Sequence, residues 1–358
     1  MRYLHTRNYG CRLSTDYSYR GLRVVVMENE KLRLTILLDK GSDIHEFLYK
    51  PQDVDFMWHS PIEVHEPHLF VPSSGLSEGY FMDYYQGGWQ EILPSGGDAC
   101  TYKGAPLGMH GEICNIPWNA QVIEDSPQRV AVKFWVRTYR TPFYLEKILS
   151  LESDRAILGL EEKLVNEGAE EMDFMWGHHP TIGPSFLDEH CRLDVPARKV
   201  IIHPVQYSET NRLPAGRKFQ WPLVEDRRGE TVDLSRIPSP EVTSTDVAYL
   251  TDFEEGWCAL TNARRRLGFA LVWDKAIFRY LWFWQVYGGW FGYPWYGRTY
   301  NIGLEPWTSY PATGLPEAIK NGSALKLGPG ETLQTKWKAV VYIGLEKVEH
   351  ISPEGEVS

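Results

Sequence analysis

A chain of 358 residues, 43% hydrophobic and 23% charged, has ample apolar material for a large core, and only the polar tail 353–358 reads as unstructured. Its formal net charge of −10 and pI near 5.6 argue against nucleic acid and anionic membranes as partners, because an acidic surface repels phosphate groups. Five scattered cysteines, a polar start and no apolar run of membrane-spanning length argue against a disulfide framework, a secretory leader and a transmembrane helix; the expectation is a cytoplasmic protein.

Residues 21–27 and 31–39 are the first strand-like runs. In the second, Leu32, Leu34, Ile36 and Leu38 alternate with Lys31, Arg33 and Thr35, the period of a strand with one face on a core and one in water. Residues 43–49 follow the same rule. The stretch 80–117 breaks it, with Gly87-Gly88-Trp89-Gln90-Glu91 and Gly96-Gly97-Asp98. Long irregular segments on a β scaffold are where binding sites usually lie. Alternation returns in 129–139, 144–151 and 155–166, and a further strand over 172–177 leads to His178-His179-Pro180. The segment 268–273 reads as a strand, 282–297 as a second irregular stretch, and 299–304 as a strand ending at Glu305-Pro306. A turn or two of helix over Leu315–Lys320 precedes a closing strand over 333–343. Neither linker nor repeat interrupts the pattern. The expected architecture is all-β: one large antiparallel sandwich domain spanning 1–358, with its core in about 20–345.

Several polar residues are placed for chemistry. Glu305 sits opposite Ile302 and Leu304 in strand parity, and Pro306 predicts a strand end or an edge there, so its carboxylate can be aimed into a cavity; a solvated edge Glu is the plainer account. Pro180 biases His179 towards an extended conformation, so His178 and His179 point oppositely and at most one enters a given pocket. Imidazole suits proton transfer near neutral pH. His110 and Glu112 flank Gly111 after the first irregular stretch, where a turn-capping role competes. His110, Glu112 and one of the paired histidines offer metal-type ligands, but their spacing fits no metal signature, so no metal and no organic cofactor is expected. Aromatics reach 13%, with 14 Trp and 20 Tyr, which is either core filling or a surface for the C–H faces of sugars. Phe278, Tyr280, Trp282 and Trp284 share one parity and read as core; Trp89, Trp290 and Trp307 lie in Gly- or Pro-rich segments that suit a sugar platform.

The segment "LGLEEKLVNEGAEEMDFMWGHHPTIG" resembles the strand, turn and strand that carry a central histidine in the aldose 1-epimerase (galactose mutarotase) family. "LRLTILLDKGSDIHEFLYK" is similar to that family's opening hairpin, "LGMHGEICNIPW" to its "L-H-G" histidine, "NIGLEPWTSYP" to its glutamate strand and "LKLGPGETLQTKWKAVVY" to its closing strand. These matches occur in family order over most of the chain. The resemblance implies a mutarotase-type supersandwich and an isomerase that interconverts sugar anomers by ring opening. It assigns Glu305 as general base and His179 as general acid. Substrate contacts are expected from His110, His178, Gln90, Trp89, Asp98, Glu112 and Trp307. The family's loop Arg has no counterpart, because 60–109 contains no Arg, and Pro180-Thr181-Ile182-Gly183 replaces "Y-F-N-L". The expected partner is a small sugar, with no nucleic acid and no membrane; a homodimer is left open. Alternatives are a non-catalytic carbohydrate-binding or sensing protein on the same fold, a metal-dependent sugar isomerase, or a glycosidase pairing Glu305 with Glu91, Glu112 or Asp98.

Overall fold

The computed structural model describes residues 7–65 and 79–358. Two antiparallel sheets face each other. The larger has 13 strands; across its middle, Asp43–Tyr49, Trp89–Ile92, Gly177–Ile182, Tyr300–Trp307, Tyr280–Tyr287, Ser244–Phe253 and Ala197–Ile202 lie side by side. The second has eight, including Arg129–Arg137, Phe143–Glu152, Ile157–Asn166, Thr332–Ile343 and Leu267–Val272. Alternation builds the layer between them. In Phe143–Glu152, Phe143, Leu145, Leu149 and Leu151 are buried while their neighbours are partly exposed. Phe47 of the first sheet meets Phe269 of the second edge to face, ring centroids 5.3 Å apart. Each such side chain contributes ~1.5–3 kcal/mol by leaving water. The expected all-β sandwich is therefore the fold, and the expected helix is Leu315–Lys320. No helix among the described residues is long and apolar enough to cross a membrane.

Three local expectations are corrected. Much of 80–117 is irregular, yet Trp89–Ile92 is a fully buried strand inside the large sheet, and Cys100–Tyr102 with Ala105–Leu107 is a hairpin. Likewise 282–297 begins with six residues of the strand Tyr280–Tyr287. Both strands are covered on both faces, which erases the apolar/polar alternation that betrays a half-exposed strand. Finally, Pro306 does not end its strand, which continues to Trp307. The ladder between Gly177–Ile182 and Tyr300–Trp307 is registered at Gly177↔Trp307, Thr181↔Gly303 and Ile182↔Ile302, and is interrupted in between. Pro180 and Pro306 both fall in that interruption, where a missing N–H costs no ladder bond. His179 and Glu305 lie in the same gap.

Candidate active site

Cross-strand register aligns the outward face of the large sheet. Gln90 pairs with His179, Glu305 with Trp282, and Trp282 with Tyr249, so these side chains stand on one face in one row. The adjacent row runs Thr181, Gly303, Trp284, Val247, and His203 follows, its N–H bonded to the Val247 carbonyl. Gly303 leaves a notch that the Glu305 side chain fills: a Cβ there would lie 2.2 Å from Glu305 Oε1. Above these rows is a cavity of about 320 Å³. That is at the small end of ligand pockets, which run to ~1,000 Å³. An open depression of about 680 Å³ lies on the N-terminal strands, but its charged walls pair internally, Arg12 with Glu28 and Arg33 with Glu46.

Glu305 and His179, 2% and 4% exposed, meet on the cavity floor with Oε1 3.4 Å from Nε2. The network assigns the tautomer. Thr181 Oγ1 donates to the Gly88 carbonyl at 2.8 Å and accepts from the Tyr85 hydroxyl at 3.3 Å. With its hydrogen so committed, the phenol oxygen accepts from His179 Nδ1–H at 3.2 Å. Neutral His179 therefore turns the lone pair of Nε2 towards Glu305. Burial holds the Glu305 carboxyl well above the usual carboxylate range, opposed by the Trp307 Nε1–H that donates to Oε2 at 3.1 Å. Burial also drives His179 down to about 4. Burial thus opposes the charged form of each group, and the Glu305 carboxyl faces the Nε2 lone pair of His179 across 3.4 Å.

His110 completes this end of the cavity, its ring 5.2 Å from that of His179. Its backbone N–H donates to the Gly97 carbonyl at 2.9 Å, and the Gly97 N–H donates to Nδ1 at 3.3 Å. An N–H can only donate, so His110 carries its proton on Nε2; burial pushes its pKa well below the ordinary value. Trp307 is fully buried behind Glu305 and stacks on Trp282 at 4.0 Å. The expected platform is corrected accordingly: Trp307 holds Glu305, while Trp282, Trp284, Trp290 and Trp295 line the cavity. Asp98 stands exposed at its rim.

Four expected contacts lie elsewhere. Gln90 shares the face of His179 but spends its amide on the Gly87 carbonyl, at 2.6 Å, and on Asp43. Glu112 accepts from the N–H groups of Tyr139 and Arg140 and from Thr141 Oγ1, capping a turn between strands. Trp89 and His178 have the opposite parity and enter the core, where Trp89 Nε1–H donates to His178 Nδ1 at 3.0 Å. Sequence reading missed Tyr85, Thr181 and His203; each is ordinary in its local context, and no periodicity marks it.

Behind the pocket, between the sheets, Glu91, Glu162 and His178 gather their ligand atoms within 4.8 Å of one another. Since Trp89 occupies Nδ1, His178 Nε2 carries the proton and donates to Glu162 Oε2 at 3.3 Å. Lys147 lies 3.2 Å from Glu91 and supplies the positive charge. Neither imidazole nitrogen keeps a lone pair for a metal, so the donor set fits a charge network better than a metal centre. Burial raises Glu162 to about 8, offset by Lys147, and lowers His178 to about 4.

This sandwich, with its cavity on the outer face of the large sheet, has the fold of galactose mutarotase-like proteins. Solved structures of the same fold include a candidate aldose 1-epimerase from Klebsiella pneumoniae, with TM-score 0.71 and 16% identity over 92% of this chain and 83% of that one. A galactose mutarotase-like protein from Clostridium acetobutylicum has TM-score 0.64 and 14% identity, covering 94% of this chain and 99% of its own. A galactose mutarotase related enzyme from Lactobacillus acidophilus has TM-score 0.59 and 17% identity, covering 90% and 100%. At these identities the likeness establishes the fold. The chain belongs to the family described as a domain of unknown function (DUF4432), which matches residues 19–341. No curated protein matches it.

Proposed function

We propose that the protein is an aldose 1-epimerase-type isomerase that interconverts the anomers of a free sugar, with Glu305 as base and His179 as acid. The observation that carries this reading is the approach of Glu305 Oε1 to His179 Nε2, 3.4 Å apart on the floor of an aromatic-walled cavity. Ring opening needs one group to accept a proton and another to give one, with no net gain or loss. Transfer of a carboxyl proton from Glu305 to His179 supplies both groups at once, a carboxylate and an imidazolium. Glu305 then takes the proton of the anomeric hydroxyl as the C1–ring-oxygen bond breaks, and His179 protonates the ring oxygen. The open-chain aldehyde forms beside a carboxylic acid and a neutral imidazole, which is the resting pair. Rotation about C1–C2 and the reverse transfers close the other anomer. Trp282 and Trp284 offer faces to the sugar's C–H surface, and Tyr85 holds the imidazole in the required tautomer.

Freshly dissolved single anomers of a sugar panel, followed by NMR, test the reading. Wild type is expected to speed anomer exchange and Glu305→Gln to lose at least ~10²-fold of that acceleration. Wild-type exchange no faster than buffer across the panel overturns it.

A further inference from the structure

The cavity has a second end. His203 borders the Val247 position, and the row Thr181, Gly303, Trp284, Val247, His203 crosses five strands. Neighbouring strands are ~4.8 Å apart, so His203 is three spacings, roughly 14 Å of sheet, from the Gly303 notch that holds the Glu305 carboxyl. Trp284 and Val247 make an apolar floor between them.

The His203 ring is fixed. The Ala312 N–H donates to the Tyr249 phenol oxygen at 2.9 Å, and the Tyr249 hydroxyl reaches His203 Nδ1 at 2.5 Å. Among the described residues the Tyr249 hydroxyl has no other acceptor, so its hydrogen goes to Nδ1 and the imidazole carries its proton on Nε2. Among the described residues Nε2 has no hydrogen-bond partner, although the side chain is nine-tenths buried and lines the cavity. Tyr207 packs edge to face on the ring at 5.7 Å, and Trp290 packs on Tyr207 at 5.7 Å. Nε2 keeps accessible surface, so this firmly held N–H opens onto the cavity and offers a donor to a ligand oxygen there. No lysine or arginine is among the described residues that line the cavity, so the acceptor it suits is a neutral oxygen rather than a phosphate or carboxylate.

We infer that His203 binds, through Nε2–H, an oxygen of an uncharged pyranose sugar at the end remote from its anomeric carbon, and so determines which sugars the site accepts. The inference rests on the sugar reading of the cavity, with the anomeric carbon at Glu305 and His179. His203 is then a binding residue that distinguishes a sugar bearing a remote oxygen from its deoxy analogue, because deoxygenation leaves the N–H unpaired.

Calorimetric titration tests this with D-glucose, D-galactose and their 2-, 3-, 4- and 6-deoxy derivatives, on wild type, His203→Ala and His203→Gln. In wild type, one deoxygenation remote from C1 is expected to weaken binding roughly tenfold. In His203→Ala that penalty disappears while the penalties at other positions persist, and His203→Gln, which can present an amide N–H, restores it. Identical penalties in wild type and His203→Ala overturn the inference, as does failure of every sugar in the panel to bind wild type. Titration requires no turnover. The expected pattern without anomer exchange would remove the proposed reaction and leave the His203 assignment standing, whereas exchange without the pattern would remove only the assignment.

Discussion

Glu305 Oε1 stands 3.4 Å from His179 Nε2 although 126 positions separate them in the chain, because their strands are neighbours in the large sheet and their parities agree. Thr181↔Gly303 registers the two strands, which sets position 179 across from 305. Within that gap each partner is anchored from behind, Glu305 by the Trp307 indole and His179 by the Tyr85 hydroxyl.

The opposed shifts predict the pH profile. Burial holds Glu305 well above the ordinary range and His179 down to about 4. Below about pH 4 the imidazole takes a second proton and the base is lost; above the raised Glu305 value the carboxyl loses its proton and the acid is lost. A plot of kcat/KM against pH is expected to be bell-shaped, with its acid limb near pH 4. A single rise centred near 6.5, the value for free imidazole, would contradict these shifts.

Gly303 is predicted to be indispensable for rate but not for folding. Its Cβ would lie 2.2 Å from Glu305 Oε1, the mobile end of a side chain, so Gly303→Ala displaces the carboxylate and not the backbone. Anomer exchange should drop ~10²-fold, the cost of misplacing a reacting group by about 1 Å. Thermal unfolding within a few degrees of wild type would confirm that the loss is local.

Trp307→Phe keeps an aromatic face for Trp282 and deletes the N–H that favours ionised Glu305. Without that donor the carboxyl pKa rises further. The alkaline limb of the pH profile should move upward, with kcat lower by roughly tenfold, as expected for losing one hydrogen bond to a charged group. An unmoved alkaline limb would assign Trp307 to packing alone.

The network between the sheets predicts a stability effect. Burial raises Glu162 from 4.5 to about 8, and a group raised in the folded state contributes stability that is present below its unfolded value and lost as pH climbs through its folded value. His178, lowered from 6.5 to about 4, acts oppositely, its contribution being lost as pH falls across that window. The Glu162 effect is therefore read between pH 6.5 and 8, where wild-type Tm should fall and Glu162→Gln should flatten the decline. Each kcal/mol corresponds to ~2 °C in a chain of this size.

Alternation in 31–39, 129–139 and 333–343 determined that this chain builds half-buried strands and hence a sandwich, because a period of two needs only nearest neighbours to be legible. The parity of Glu305 against Ile302 and Leu304, and of His179 against His178, likewise placed one member of each set away from the core. Sequence could not show that Trp89–Ile92 and Tyr280–Tyr287 are strands, since a segment covered on both faces carries no contrast. It could not separate Trp307, which holds the carboxylate, from Trp284, which faces the cavity. Nor could it find Tyr85 and His203, whose roles come from a hydroxyl 94 residues from its imidazole and an imidazole 46 residues from its phenol. Register between distant strands made those pairings, and register is fixed only when the sheets close on a common core.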